Sequence, residues 1–134
     1  MKQGDEETGR PLWDLSEPVI GACIEVHRHL GPGLLESAYE ACLCHELSLR
    51  GMSFERQRAV PLTYKGLALE CGYRLDLVVA DRVIVEIKAV EALAPIHEAQ
   101  ALTYLRLTGL EVALLVNFRV PVLKHGLRRL RLKP

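Results

Sequence analysis

The sequence contains no C-x-x-C pair, although it has four cysteines. Zinc ribbons and thioredoxin-like redox sites need that spacing, so the sequence supports neither class. Cys23 and Cys42 fall on the apolar faces of predicted helices, which predicts buried, reduced thiols. A disulfide or an iron–sulfur role is the minor alternative.

An excess of charge of either sign is also lacking, since 17 basic residues balance 17 acidic residues. Net charge therefore gives no argument for a nucleic-acid partner, and any such argument depends on local patches. Aromatic residues are scarce, with two Phe, four Tyr and one Trp, so no platform for stacking single-stranded bases is evident. The motifs G-x-x-x-x-G-K-[ST], G-x-G-x-x-G and G-x-S-x-G do not occur, so phosphate loops, dinucleotide sites and nucleophile elbows lack support.

Long apolar runs are missing too. Val112–Val116 is among the longest, and it is far too short to cross a bilayer. Residues 1–13 are polar, which predicts a flexible N-terminal segment. They also lack the apolar core of a secretory signal. The remaining residues, 14–134, suit a single domain with one core. These features predict a cytoplasmic protein that has no membrane partner.

Periodicity predicts a mixed α/β (α+β) fold with the element order α-α-β-β-β-β-α-β-β. Ser16 is a plausible N-cap of the first helix. Pro61 indicates that the first strand lies at a sheet edge or is interrupted. The predicted helices are Glu17–His29, Leu34–Arg50 and Pro95–Thr108. The predicted strands are Phe54–Tyr64, Leu67–Cys71, Tyr73–Val79, Val83–Ala89, Glu111–Asn117 and Leu127–Leu132.

The segment Tyr73–Val90 places three charged residues in the most strand-like part of the chain. Glu86 and Lys88 are two apart and project from one face of their strand. A three-residue turn at residues 80–82 would pair the flanking valines and set Asp76 opposite Glu86. Two facing carboxylates repel, and a divalent cation between them would convert the repulsion into binding. Oxygen ligands of this kind suit Mg²⁺ or Mn²⁺.

Two alternatives to this interpretation remain open. A two-residue turn would shift the register by one and place Asp76 and Glu86 on opposite faces. The three charges could also form an ordinary solvated strand face with a Glu–Lys pair.

The chain resembles a known family through several motifs that occur in order. The segment Gly33–Tyr39 carries G-x-x-E-x-x-Y, Asp76 is followed by Glu86-Ile87-Lys88, and Gln100 precedes Tyr104 by four positions. This pattern is similar to that of the GxxExxY proteins, small proteins of the PD-(D/E)xK nuclease superfamily. The resemblance implies a restriction-endonuclease-like core, in which helices flank a mixed central sheet.

The resemblance also implies roles for individual residues. Asp76, Glu86 and the backbone carbonyl of Ile87 would hold the metal, and Glu36 would be an additional acid at the metal site. Lys88 would position and polarise the attacking water. Leu75 stands where the superfamily motif normally has proline.

Other residues would complete the site from the flanking helices. Gln100 and Tyr104 resemble the Q-x-x-x-Y element of the RecB-like branch, and they could hydrogen-bond to the water, to Lys88 or to a phosphate. The alternative is a helix edge that touches the sheet. Tyr39 and His27 are candidates for substrate contact or for support of the site, and a structural role is favoured for both.

Two basic stretches could contact a phosphate backbone or could form an ordinary solubilising surface. One comprises Arg50, Arg56, Arg58 and Lys65, and the other comprises Lys124, Arg128, Arg129, Arg131 and Lys133. Together these features predict a Mg²⁺- or Mn²⁺-dependent nuclease that hydrolyses nucleic acid, with DNA as the expected substrate. The alternative is an inactive nucleic-acid-binding or homodimeric assembly module that has kept the nuclease fold.

Overall fold

The structure is a computed structural model, which describes residues 15–70 and 72–132. The predicted flexible segment, residues 1–13, lies outside the described residues, as do Cys71 and Lys133. In chain order the elements are α1 (Ser16–Leu30), α2 (Glu36–Leu49), β1 (Phe54–Ala59), β2 (Leu62–Tyr64), β3 (Leu67–Leu69), β4 (Arg74–Val79), β5 (Val83–Lys88), α3 (Pro95–Thr108), β6 (Val112–Asn117), a short 3₁₀ helix (Leu123–Gly126) and β7 (Leu127–Leu130).

The fold class is confirmed, but the element order contains one strand more than predicted. The segment predicted as a single strand, Phe54–Tyr64, is divided into β1 and β2 around Pro61. Proline has no N–H to donate to a ladder, so the strand stops there, as its position suggested. The predicted turn Tyr64–Leu67 joins β2 to β3, with Lys65 and Gly66 both at positive φ. These two strands form a hairpin apart from the main sheet.

The main sheet has five strands in the order β1-β4-β5-β6-β7. Every pairing is antiparallel except that of β5 with β6, which is parallel. Helix α3 makes the crossover that a parallel pair requires. Strand β5 is the middle strand of the five. Because β5 and β6 are parallel, their C-terminal ends lie at the same edge of the sheet.

Helices cover both faces of this sheet. Val83, Val85 and Ile87 of β5 belong to the core cluster that includes α1 and α2, whereas Ile84 belongs to the cluster around α3. Because successive strand side chains alternate, Glu86 and Lys88 share the α3 face with Ile84. Burial on both faces explains why the sequence of β5 is an almost unbroken apolar run.

Helix α1 begins differently from the prediction. Its N-cap is Leu15, which makes no side-chain capping bond, and Ser16 is the first helical residue. Ser16 is buried, and its hydroxyl accepts a hydrogen bond from Nε of Arg129 at 2.9 Å. A partner more than a hundred residues away thus replaces the local cap that the sequence suggested.

The cysteine prediction is correct for Cys23 and wrong for Cys42. Cys23 is buried in the core, and burial raises the pKa of its thiol to about 12. Cys42 is exposed, because α2 turns Cys44 rather than Cys42 toward the core. All three are free thiols.

Candidate active site

The turn between β4 and β5 has the predicted length. Val79 pairs with Val83 and Leu77 pairs with Val85, so three residues form the loop. Ala80 and Asp81 both adopt positive φ, and the N–H of Arg82 donates to the carbonyl of Val79. The predicted register is therefore confirmed, and a register shifted by one residue is excluded.

Asp76 and Glu86 meet just beyond the last paired residues of this hairpin. The N–H of Asp76 donates to Oε2 of Glu86 at 3.0 Å, and the N–H of Ile87 donates to Oδ2 of Asp76 at 2.8 Å. Each carboxylate is thus fixed by a backbone amide on the opposite strand. Among the described residues, Oδ1 of Asp76 and Oε1 of Glu86 accept no hydrogen bond.

Burial makes this pair of carboxylates unfavourable as two free anions. Glu86 is only 6% exposed, and burial, together with the charge of Asp76, raises its pKa to about 8. Burial also raises the pKa of Asp76, and the amide of Ile87 partly offsets that effect. A cation bound between the carboxylates would relieve both desolvation and repulsion.

The donor set fits a hard divalent cation that keeps part of its own hydration shell. The two carboxylates supply oxygen ligands, which Mg²⁺ and Mn²⁺ prefer. Within residues 15–70 and 72–132, no group of three or more His, Cys, Asp or Glu side chains is arranged to hold a metal ion. Glu36 therefore does not join Asp76 and Glu86 in a preformed triad, and water or substrate oxygens would have to complete the shell.

The raised pKa of Glu86 predicts that stability depends on pH in the absence of metal. The folded protein keeps a proton up to about pH 8 that the unfolded chain releases near its ordinary pKa of 4.5. The free energy of unfolding should therefore fall between these two pH values, by a few kcal/mol at most. Urea denaturation in EDTA across this range measures the decline. Glu86→Gln should flatten it, whereas the exposed control Glu91→Gln should not, and equal slopes in all three proteins would contradict the assignment.

Lys88 lies at the end of β5 on the same face as Glu86. Its positive charge lowers the pKa of both Asp76 and Glu86, so its amine is close enough to interact electrostatically with both carboxylates. The side chain is half-buried, and within the described chain no carboxylate forms an ion pair with it. The ammonium group is therefore available for an anion that enters the site.

Glu36 is the first residue of α2 and reaches the end of β5. Its Oε2 accepts a hydrogen bond from the N–H of Ala89 at 3.0 Å. Its charge contributes to the raised pKa of Asp76, although it is the weakest of the causes there. Glu36 thus lies near Asp76, and its hydrogen bond to Ala89 joins the start of α2 to the end of β5.

Tyr104 of α3 is near the carboxylates, and Gln100 precedes it by about one helical turn. Tyr104 is buried, and burial raises the pKa of its hydroxyl, with further increases from the charges of Glu86 and Asp76. The side chain of Gln100 hydrogen-bonds to Tyr104. Tyr104 therefore lies within electrostatic reach of the carboxylates, whereas Gln100 is linked to them only through Tyr104.

Tyr39 and His27 hold the loops around the site. The Tyr39 hydroxyl donates to the carbonyl of Gly31 and accepts from the N–H of Leu34, and its ring stacks on Phe118 at 4.4 Å. Nε2 of His27 hydrogen-bonds to the carbonyl of Val120 at 2.8 Å. These bonds go to loop backbone, so the contacts of both residues are those of supporting residues.

Sequence analysis missed Glu40, which lies one helical turn after Glu36. It is only 8% exposed and accepts hydrogen bonds from Nε of Arg56 and Nε2 of Gln57. Its charge raises the pKa of both Asp76 and Glu86. The spacing of four between two glutamates was the available signal, because it places both on one helix face.

Asn117 was also missed, and it organises the backbone beyond β5. It pairs with Lys88 in the sheet, its Oδ1 accepts from the N–H groups of Val90 and Arg119, and its Nδ2 donates to the carbonyl of Val90. A buried amide at the end of the apolar run of β6 was the signal in the sequence. It fixes the two chain segments that leave the sheet beside the site.

Most of the arginines in the two basic stretches already have partners. Arg50 pairs with Glu46, Arg56 with Glu40, and Arg128 with Glu98; Arg58 pairs with Glu55 and Asp81, and Arg129 donates to Ser16. Among the described residues of these stretches, the ion pairs of Arg50, Arg56, Arg58 and Arg128 reduce the charge that is available to a phosphate backbone. At the proposed site itself, Lys88 has no carboxylate partner within the part of the chain that the structure describes.

The mixed sheet, the helices on both faces and the Asp76…Glu86-x-Lys88 arrangement define a restriction-endonuclease-like domain. The sequence model of the PD-(D/E)XK nuclease superfamily matches residues 13–130. The chain therefore belongs to that superfamily. Comparisons with curated proteins and with solved structures gave no match. Across the described residues, no helix combines the length and apolarity that would let it cross a membrane.

Proposed function

We propose that this protein is a metal-dependent nuclease that hydrolyses phosphodiester bonds, and that it is a GxxExxY member of the superfamily. The observation that carries the proposal is the repulsive pair of the half-buried Asp76 and the buried Glu86, with Lys88 on the same strand face and in no ion pair with any described carboxylate. A chain gains nothing in stability from two desolvated carboxylates at one point, so the arrangement is better explained by a bound cation. Magnesium or manganese is the expected ion, and DNA is the expected substrate.

Each residue has a role that follows from its position. Asp76, Glu86 and the carbonyl of Ile87 would hold the ion, which supplies Lewis acidity at the scissile phosphate. Lys88 would orient the attacking water and offset charge as it develops on the phosphate. Glu36 would accept a hydrogen bond from water at the edge of the site, while Gln100 and Tyr104 would hydrogen-bond to water or phosphate from α3.

Hydrolysis can be tested directly with the purified chain. Linear and circular duplex DNA, single-stranded DNA and RNA are incubated with Mg²⁺, with Mn²⁺ and with EDTA. We expect cleavage of DNA that requires a divalent ion and stops in EDTA. Cleavage that continues in EDTA, or no cleavage of any substrate with either metal, would reject the proposal.

A second candidate function is a catalytically inactive module that binds nucleic acid or assembles as a homodimer. Four of the six arginines in the two basic stretches are paired with carboxylates, which gives this alternative little support as a general nucleic-acid binder. The inactive-module alternative predicts salt-sensitive DNA binding without cleavage, or dimerisation that does not change when DNA is added. Analytical ultracentrifugation beside the cleavage assay separates it from the first proposal. We assign the protein to the cytoplasm under both.

A further inference from the structure

A cleft opens beside the carboxylate pair, between the start of α2 and the ends of β5 and β6. Its volume is about 630 Å³, and residues 32–37, Ala89 and Arg119 line it. Glu36 lies in its wall, whereas Asp76 and Glu86 do not. The cleft therefore adjoins the proposed site of hydrolysis without covering it, which is where the neighbouring part of a substrate chain would lie.

Arg119 supplies the positive charge of this cleft. The backbone N–H of Arg119 donates to Oδ1 of Asn117. The backbone N–H of the preceding residue, Phe118, donates to the carbonyl of Lys88. The backbone that carries Arg119 is thus fixed to the end of β5. No carboxylate in the described parts of the chain forms an ion pair with its guanidinium. A planar, unpaired guanidinium is well suited to phosphate.

Two exposed leucines, Leu34 and Leu35, also line the cleft, on the segment that carries Glu36. Leu34 and Leu35 are 41% and 76% exposed, so both present apolar surface to the cleft. Tyr39 binds the backbone of this turn at Gly31 and Leu34, so the leucines are held in place rather than carried on a loose loop. Exposed apolar groups that share a cleft with a guanidinium lacking a carboxylate partner among the described residues match a ligand with one charged and one apolar part.

We propose that this cleft binds the nucleotide next to the scissile phosphate. The guanidinium of Arg119 contacts the phosphate of that nucleotide, and Leu34 and Leu35 contact its sugar and base. This inference depends on the proposed nuclease function for the identity of the ligand. Glu36 repels phosphate from its own side of the cleft, so the phosphate lies toward Arg119.

The two kinds of contact have different signatures in a binding experiment. Fluorescence anisotropy with a labelled 20-nucleotide DNA, single-stranded and duplex, measures affinity over a range of salt concentrations, with Ca²⁺ present and with probe integrity checked on a denaturing gel. Arg119→Ala should weaken binding about tenfold and lower the slope of log affinity against log salt by about one. Leu35→Ala should weaken binding by about threefold to tenfold without changing that slope.

Matched controls separate these effects from general loss of charge or apolar surface. Arg106 is exposed on α3, where its guanidinium meets only the hydroxyl of Thr103 in the described structure, and Leu49 is exposed at the end of α2. Arg106→Ala and Leu49→Ala should leave affinity and slope unchanged. The inference is overturned if Arg119→Ala binds as the parent does, or if the parent binds neither form of DNA.

The outcomes also distinguish this inference from the proposed function. Cleavage that depends on Asp76 but binding that ignores Arg119 would leave the nuclease proposal standing and remove the cleft as a subsite. Arg119-dependent binding in a protein that cleaves nothing would keep the subsite and remove the nuclease proposal.

Discussion

Asp76→Asn is expected to lower the rate of DNA cleavage by about 10³-fold, because it removes one of the two charges that hold the divalent ion. A Lewis-acidic metal contributes several kcal/mol to such a reaction, and about 4 kcal/mol corresponds to a factor of about 10³. The asparagine side chain keeps an oxygen that can accept from the N–H of Ile87, so the local hydrogen bond is preserved. Single-turnover cleavage rates with Mg²⁺ measure the effect.

The same substitution should not destabilise the protein. The charge of Asp76 raises the pKa of Glu86, so its removal relieves a repulsion inside the folded state. The melting temperature in EDTA should therefore be equal to or higher than that of the parent. Asp81→Asn is the matched control, because Asp81 is an exposed acid in the turn of the same hairpin. Full cleavage by Asp76→Asn, or equal loss in Asp81→Asn, would contradict the assignment.

Lys88→Met should lower the cleavage rate by about 10²- to 10³-fold while leaving metal binding in place. Methionine keeps an apolar stem of similar length but loses the ammonium group that orients water and offsets charge. Because Lys88 is not an ion ligand, the loss should appear in the rate at saturating metal rather than in the metal concentration needed for half-maximal rate. A metal titration of single-turnover rates separates the two effects.

Two further variants test whether the effect at Lys88 depends on position or only on charge. Lys124→Met removes an exposed lysine from the 3₁₀ helix and should cleave as the parent does. Lys88→Arg retains the charge but not the compact, flexible ammonium, so partial activity is expected. If Lys88→Met needed more metal yet reached the parental rate, Lys88 would belong to the metal site instead of to the reaction.

The hairpin was predictable because its information is local. The apolar runs on both sides of residues 80–82 defined the strands, and the loop length determined which residues face each other. Pro61 similarly marked the end of β1 through a missing N–H. The positions of Asp76, Glu86 and Lys88 on neighbouring strands follow from these local features and from the alternation of strand side chains.

Contacts between distant segments were not predictable by the same reasoning. Ser16 was expected to cap α1, but a partner in β7 determines its role. The contact of Glu36 with Ala89 and the burial of Glu40 depend on how α2 rests on the sheet, which its apolar stripe fixes only approximately. The same uncertainty in helix rotation led to the wrong prediction for Cys42.

The central claim is that Asp76 and Glu86 together hold a divalent cation, and calorimetry tests it most directly. Mn²⁺ is titrated into the parent, into the double variant Asp76→Asn/Glu86→Gln, and into Asp81→Asn, at a pH above 8 so that Glu86 is ionised. The parent and Asp81→Asn should bind Mn²⁺, with affinity that weakens as the pH falls below 8, and the double variant should not bind. Equal binding heats in the parent and the double variant would show that the ion, if it binds, is held elsewhere.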